Sequence, residues 1–501
     1  MSASDLHERI RSRAARVGVV GCGYVGLPLS QAFADARYTV VGIDVDVRRV
    51  DALNSGVSHI LDVPAETLRK NIDAGRFSAT TDFAAARDLD IIFISVPTPF
   101  DKAKQPDLSF VVAAARGIAP YLHADQLIVL ESTTYPGTTD EVLRPILEQN
   151  GLVAGRDFFL AFSPERIDPG NKMYKIHNTP KVVGGVDPES TKLAVFALEQ
   201  VITAGGVHAV SSARAAELTK LLENTFRAVN IALVNELAML CDRMDIDLWE
   251  VIDAAATKPY GFVPFYPGPG VGGHCIPVDP YYLSWKAREY DFHTKFIELA
   301  AETNLEMPFF TATRIQRLLN EHDRSSNKAN ILVLGATFKP DIDDARNSAA
   351  IRVMEVLHSA GARIEYHDPF AERISLADRV FDPERRTTLS SVELTPERLA
   401  KGRLRRHPGR ALRHRLRRGA ATRDVGLRRG ERDRWPPREG DRRAPLAGSA
   451  APPEHATTRS GMDHRLTSGT DSGRRQSRGS WAYKGRFEPI VCYRYMTRLA
   501  I

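Results

Sequence analysis

The chain opens with short apolar runs separated by stretches of helical periodicity. Residues 16–21 (RVGVVG) form the first run, and LPLSQAFADA follows with apolar residues at helical spacing. LDIIFISVPTP, QLIVLESTTYPGTT, FFLAFSPERIDPG and KVVGGV are further runs of the first kind, with YTVVGIDVD between them and the start. Short continuous apolar runs bounded by turn residues suit strands buried on both faces of a parallel sheet. Their alternation with helices predicts an α/β, doubly wound fold. Residues 211–256 change character: SSARAAELTKLLENTFRAVNIALVNELAMLCDRMDIDLWEVIDAAA keeps helical spacing for many turns, with apolar faces broad enough to be packed on two sides. PYYLSWKAREYDFHTKFIELAAETNLEMPFFTATRIQRLLN is helical again, and ANILVLGATFKPDIDDARNSAAIRVMEVLHSAGARIEYHDP restarts a strand–loop–helix–strand pattern. The pattern therefore predicts a doubly wound domain over 1–210, a central helical domain over 211–322 and part of a second doubly wound domain over 323–400.

The first strand runs straight into GCGYVG, a G-x-G-x-x-G in which Gly21, Gly23 and Gly26 enclose Tyr24 and Val25. These glycines permit a tight turn, close approach of a pyrophosphate and close helix-to-strand packing, and the helix N-terminus offers free N–H groups to phosphates. Such a turn alone is a weak signal. Here the second strand ends in Asp44, at the distance where an acid accepts hydrogen bonds from an adenosine ribose. An acid there favours NAD over NADP, because a 2′-phosphate would meet a negative charge. Ligands in open parallel sheets gather beyond the carboxyl ends of the strands. Thr98 follows one such end, Ser132 and Thr133 follow another, and Ser163 and Glu165 a third. Thr133 and Glu165 are site candidates on this logic, although strand-end Ser and Thr also cap helices.

Lys220 and Asn224 lie one turn apart and share a helix face, as a pair aimed at a ligand or as a solvated stripe. The loop PGPGVGGHCIPVDP (267–280) has little side-chain volume to pack, yet it holds Cys275. That residue reads as a small apolar group in a turn or as a reactive thiol. In the second doubly wound region the first strand leads to Gly335, Phe338 and Lys339, where a ligand phosphate has room to sit.

Composition sharpens this picture in two ways. The four cysteines, Cys22, Cys241, Cys275 and Cys492, make no CxxC pair, which argues against a zinc ribbon or a disulfide framework and fits a reducing cytoplasm. No apolar run is long enough to span a bilayer, and the charged N-terminus MSASDLHERIRSRAAR does not read as a signal peptide. Net charge is +6, but residues 401–501 carry 26 Lys and Arg against 9 Asp and Glu, a balance of +17, whereas the first 400 carry 42 against 53, a balance of −11. An acidic globular body thus carries a basic tail.

GCGYVG, STTYPGTT, SPERIDPG, AELTKLLENTFRAVNIALVNEL, GPGVGGHCIPVDP and FKPDIDDARNS in this order resemble the nucleotide-sugar 6-dehydrogenase family, the UDP-glucose/GDP-mannose dehydrogenases, over about residues 14–400. GGHCIPVDPYYL with FIELAAETN is most similar to the bacterial members acting on UDP-N-acetylhexosamines, UDP-N-acetylglucosamine in particular; UDP-glucose is the nearest rival substrate, and an inactive NAD-binding relative the other alternative. The resemblance implies an N-terminal Rossmann-like NAD domain, a central domain with a long helix, a Rossmann-like UDP-sugar domain and a homodimer. It also implies a four-electron oxidation of a sugar C6 alcohol to a carboxylate with two NAD⁺, through a cysteine thiohemiacetal and thioester. By family position Cys275 is the nucleophile, its thiolate aided by Lys220 and turn N–H groups. Lys220 and Asn224 contact the reacting hydroxyl and its oxyanion, Asp279 positions water or relays protons, and Thr133 and Glu165 lie near the nicotinamide and the hydrolytic water. Gly272, Lys339 and Arg346 fall on the substrate side. Lys258 stands near a basic position that reaches substrate across the dimer interface.

The resemblance stops near Ala400. Residues 401–450 contain sixteen arginines, one lysine and no apolar periodicity, so no core is expected there. A nucleic-acid-binding tail is one reading. A shifted reading frame explains the composition better: GAC TGC GTC GTC ATC encodes a strand-like Asp-Cys-Val-Val-Ile, and read one nucleotide earlier after a C it gives Arg-Leu-Arg-Arg-His, the sequence of Arg403 to His407. The UDP-sugar domain would then be truncated. Resequencing the DNA across codon 400 should reveal a frame change that restores family-like strands; a single clean frame with none to restore rejects the shift.

Overall fold

The computed structural model describes residues 3–60, 62–101, 104–168, 170–171, 173–327, 329–378, 382–396, 398 and 490–492. The Arg-rich stretch and the inferred frame change lie outside the described residues.

The apolar runs become one eight-stranded sheet: β1 (Arg16–Val20), β2 (Thr39–Ile43), β3 (Phe77–Thr80), β4 (Ile91–Ile94), β5 (Leu127–Leu130), β6 (Phe159–Phe162), β7 (Lys181–Gly185) and β8 (Val207–Ala209). Their spatial order is β3-β2-β1-β4-β5-β6-β7-β8. Every pairing is parallel except β6 with β7, which is antiparallel. Strand order reverses between β1 and β4, and it is outside the carboxyl ends at such a switch point that doubly wound sheets bind ligands. β4, β5 and β6 are buried throughout, which explains their unbroken apolar sequences. β3 (FSAT) and β8 (VHA) are short and half-polar, so the sequence pattern did not disclose them.

The long helix runs Ala213–Met244, and Ser212 caps it by accepting the Ala215 N–H at 3.2 Å. It is shorter than the periodicity of 211–256 suggested. Asp245 turns left-handed (φ 54°), and Asp247 then caps a separate helix, Leu248–Ala255. Apolar spacing continues across this break, so the cap geometry rather than the hydrophobic pattern ends the helix. Helix Lys295–Glu321 packs along the long helix, where Asn235 donates to Asn304 (2.9 Å) and Arg314 pairs with Asp242 (2.7 Å). Leu222, Leu233 and Met244 on the long helix, and Phe296 and Leu299 on the helix packed along it, are each more than half exposed.

In the second sheet β9 (Asn330–Leu334) pairs in parallel with β10 (Arg363–His367), joined by helix Ala349–Ser359. A hairpin, β11 (Arg373–Asp378) with β12 (Asp382–Ser390), follows. A third strand, β13 (Ile490–Cys492), pairs in parallel with the other edge of β9; the sequence reading placed no strand there. Val333, Val353, Met354, Leu357 and Tyr366 form this domain's core. Among the described residues no helix is long and apolar enough to cross a membrane.

Candidate active site

The three motif glycines do different work. A Cβ on Gly21 (φ +92°) would lie 2.7 Å from the Ser95 carbonyl, and one on Gly26 would lie 1.9 Å from the Gly21 carbonyl, so both are fixed by close backbone approach. A Cβ on Gly23 would meet nothing within 4 Å. Gly23 therefore fronts open space at the N-terminus of helix Gly26–Asp35, whose N-cap, Val25, offers no side-chain cap. Free first-turn N–H groups beside an open glycine fit a pyrophosphate. Asp44 is buried at the end of β2, where its carboxylate accepts the Cys22 N–H (2.9 Å), the Asp46 N–H (3.0 Å) and the Arg49 guanidinium (2.8 Å). The sequence reading missed Arg49, which follows Asp44 by five residues. Oriented this way, the acid fits a ribose diol, so the residues present fit NAD.

Two further candidates lie where the second doubly wound domain meets the glycine turn and the cysteine loop. Arg346, placed on the substrate side by resemblance, is held by Asp344 (2.6 Å) with its guanidinium 5.9 Å from the Tyr24 ring of the glycine turn. Gly272 faces protein: a Cβ there would lie 2.8 Å from Phe338 Cβ and 3.0 Å from the Asn347 carbonyl, so this glycine lets the cysteine loop pack on the second doubly wound domain. Lys339 pairs with Asp168, in the loop after β6. Lys258 is exposed, 5.1 Å from the Tyr260 ring centroid.

The remaining candidates converge. Lys220 Nζ donates to the Glu165 carbonyl oxygen (2.5 Å), and Asn224 Nδ2 donates to Asp279 Oδ2 (2.5 Å). Cys275 closes the turn into helix Asp279–Ala287, its carbonyl accepting the N–H groups of Val278 (3.0 Å) and Asp279 (2.8 Å). Its Sγ lies 3.2 Å from His274 Nδ1. Tyr282, buried on the same helix, donates its hydroxyl to the carbonyls of Thr98 and Pro99, which ties the Thr98 loop to this helix. Thr133 is half-buried in the turn after β5. That turn is clamped to the long helix by Glu217, which accepts from the Gly137 N–H (2.6 Å), the Thr139 N–H (2.9 Å) and the Thr139 hydroxyl (2.7 Å). Burial pushes Glu217 up to about 7.

Beneath these residues lies a buried ion triad. Lys181 Nζ donates to Glu131 Oε1 (2.7 Å) and to Glu165 Oε2 (2.9 Å), and Glu165 Oε1 accepts the N–H groups of Arg166 (2.7 Å) and Ile167 (2.5 Å). Burial works to raise Glu165, but the Lys181 ammonium and the Ile167 N–H hold it below the usual carboxylate range. Glu131 moves the other way, raised chiefly by burial and further by the charge of Glu165. The sequence reading missed Glu131, Lys181, Glu217 and Tyr282. A charged residue abutting an apolar strand (VLE, KVV) was the available signal for the first two.

The electrostatics correct one expectation. Burial, with the charge of Asp279, pushes the Cys275 thiol up to about 11, outweighing Lys220 and Arg227, which act to lower it. The neighbouring turn N–H groups bond the Cys275 carbonyl, not its sulfur. Cys275 thus rests as a thiol. Burial also raises Asp279 from 3.8 to about 6, against Lys220 and Asn224.

A dinucleotide cleft joined through Tyr282 to a helix that starts at a buried carboxyl group and follows a thiol-bearing turn, with a second doubly wound domain in the same chain, defines a dehydrogenase of nucleotide-linked substrates. Comparison with known proteins places it further. The chain belongs to the UDP-glucose/GDP-mannose dehydrogenase family: its NAD binding domain matches residues 15–201, its central domain 214–306 and its UDP binding domain 332–396. The chain is 39% identical to the UDP-N-acetyl-D-glucosamine 6-dehydrogenase of Pseudomonas aeruginosa over 356 residues, covering 71% of this chain and 83% of that one. It is 40% identical to protein CapL of Staphylococcus aureus over 358 residues, covering 71% and 82%. The structure of the UDP-D-ManNAc dehydrogenase of Pyrococcus horikoshii superposes with a TM-score of 0.67 at 34% identity, covering 71% of this chain and 84% of that one. The chain is accordingly an NAD-dependent oxidoreductase of the nucleotide-sugar dehydrogenase type.

The Asp279 shift predicts a pH-dependent stability. The folded protein binds this proton up to about pH 6, the unfolded chain only to about pH 4, so burying the charged form lowers stability as pH rises through that window. Two-state unfolding of wild type and Asp279→Asn at pH 4 and pH 7 should show wild type losing ground by on the order of 3 kcal/mol. A difference that does not change with pH contradicts the assignment.

Proposed function

We propose that the chain oxidises the C6 alcohol of a UDP-N-acetylhexosamine, UDP-N-acetylglucosamine first among them, to the uronic acid with two NAD⁺. The observation that carries this reading is the meeting of Lys220, Asn224, Glu165, Asp279 and Cys275 through the bonds Lys220–Glu165 (2.5 Å) and Asn224–Asp279 (2.5 Å) and the Cys275–Asp279 turn. The relatives named for UDP-N-acetylhexosamines support the substrate class.

NAD⁺ supplies a hydride acceptor for each of the two oxidations. Lys220 stabilises negative charge on the C6 oxygen as the alcohol proton leaves. The Cys275 sulfur bonds to the aldehyde carbon, which keeps the aldehyde from escaping or hydrating. The thiohemiacetal loses its second hydride and becomes a thioester, and water releases the carboxylate and the thiol. Glu165, held as a carboxylate, accepts a hydrogen bond from that water, while Asn224 holds Asp279 beside Cys275. Lys339 and the second doubly wound domain bind the UDP moiety. Because Cys275 rests as a thiol, its attack on the aldehyde has to be coupled to removal of its proton.

The exposed apolar residues Leu222, Leu233 and Met244 of the long helix and Phe296 and Leu299 of the helix beside it support a homodimer formed through these helices, because exposed apolar surface marks interfaces. Light scattering should give twice the chain mass, and charged substitutions at Leu222 and Leu233 should halve it; a monomeric wild type refutes the dimer.

Purified protein with NAD⁺ and a panel of nucleotide sugars should yield two NADH per UDP-N-acetylhexosamine, with little turnover of UDP-glucose. Cys275→Ser should stop before the carboxylate. Undiminished carboxylate formation by that variant rules out the thioester route.

A further inference from the structure

The glycine-rich loop places a second reactive group against the thiol, and neither the strand-end logic nor the family resemblance singled it out. His274 Nδ1 lies 3.2 Å from Cys275 Sγ. The imidazole also makes an edge-to-face contact with Phe338, 6.0 Å between ring centroids and 71° between planes. Phe338 belongs to the second doubly wound domain, and Gly273 (φ +88°) has no room for a Cβ against that same ring. The loop is thus folded so that the exposed imidazole touches both the Cys275 sulfur and the Phe338 ring.

We propose that His274 is a catalytic residue, the group that takes the Cys275 proton as sulfur bonds to the substrate aldehyde and returns it to sulfur when the thioester opens. The proposal rests on the cysteine route described above. Its balance is simple. The S–H bond breaks with its proton passing to Nδ1, the sulfur pair forms the C–S bond, and the carbonyl π pair moves to oxygen, where Lys220 holds the oxyanion until the imidazolium proton neutralises it. That proton comes back to Nδ1 as the thiohemiacetal gives up its hydride and becomes the thioester, and it is the proton delivered to sulfur when water opens the C–S bond. No redox partner is needed beyond the NAD⁺ of the established activity.

The charges around the ring suit this task. Burial, with the cations Arg346 and Lys220, disfavours the imidazolium, whereas Asp344 favours it; the balance lowers the histidine below its ordinary value. A neutral imidazole at neutral pH has one ring nitrogen free to accept, the condition for a general base. Asp279 is less suited to begin the step. It is buried and already bonded to Asn224 at 2.5 Å.

Alkylation of Cys275 by iodoacetamide, followed site by site with mass spectrometry, tests the proposal without cofactor or substrate. His274→Phe preserves a ring against Phe338 but has no nitrogen. It should slow Cys275 labelling about tenfold at pH 7.5 and restore it at pH 10, with Cys241 as the internal control. In turnover it should lower the rate of the second oxidation at least tenfold while leaving the KM for NAD⁺ unchanged. Wild-type labelling and wild-type kcat in folded His274→Phe overturn the proposal. If the phenylalanine variant does not fold, His274→Gln, which keeps polarity without titrating, should show the same slowed labelling, and a wild-type rate there also overturns it. Full activity in Cys275→Ser would instead defeat the cysteine route itself, leaving the labelling result to report on the imidazole alone.

Discussion

The buried ammonium of Lys181 holds the carboxyl ends of the sheet together, and the site depends on it. The reason lies in strand direction. β6 and β7 are antiparallel, with Phe162 opposite Gly184. Continuing that register past the end of β6 brings Glu165 opposite Lys181, the first residue of β7. Had β7 run parallel to its neighbour, its first residue would lie at the far edge of the sheet. The reversal delivers a cation to the edge where Glu131 follows β5 and Glu165 follows β6. All three side chains are at least nine-tenths buried, so removing Lys181 would strand buried carboxylate without a cation, typically a loss of about 3–5 kcal/mol, whereas removing either glutamate would leave Lys181 paired with the other.

From that anchor a chain of hydrogen bonds leads around the site. The Glu165 carbonyl fixes Lys220 on the long helix, and one turn further Asn224 fixes Asp279 at the start of the next helix. Tyr282 on that helix holds the backbone of the Thr98 loop, which follows β4 in the same sheet. Glu217, one turn before Lys220, clamps the turn after β5. The long helix is therefore tied to the sheet at both the Thr133 turn and the Glu165 loop, and reactive side chains on separate elements share one frame.

Much of this was legible in the sequence, for reasons specific to each part. The parallel strands announced themselves because both faces are buried, and the cofactor turn because each glycine answers a distinct steric demand. Lys220 and Asn224 were legible as helical neighbours. Their partners were not, because the bonds to Glu165 and Asp279 each span 55 residues. Lys181 was invisible as a site residue because its relevance comes from an antiparallel pairing that apolar periodicity cannot report. The surfaces that Arg346 and Gly272 meet were hidden for a related reason: a motif gives order along the chain, whereas the contacts with Tyr24 and Phe338 come from the fold. The break at Asp245 escaped because apolar spacing runs across it unchanged.

The high thiol pKa of Cys275 looks unfavourable for a nucleophile until both halves of the reaction are weighed. A thiol of higher pKa gives a more nucleophilic thiolate, so little is lost in addition once the proton has been taken. The same property makes sulfur a poorer leaving group when water opens the thioester, and expulsion then needs a proton delivered back. A resting thiol with a neutral imidazole 3.2 Å away serves both demands, since the base of the first half becomes the acid of the second. Burial of Cys275 and Asp279 is then part of the chemistry: it keeps the sulfur protonated until an aldehyde arrives, and it couples each change in C–S bonding to one proton movement.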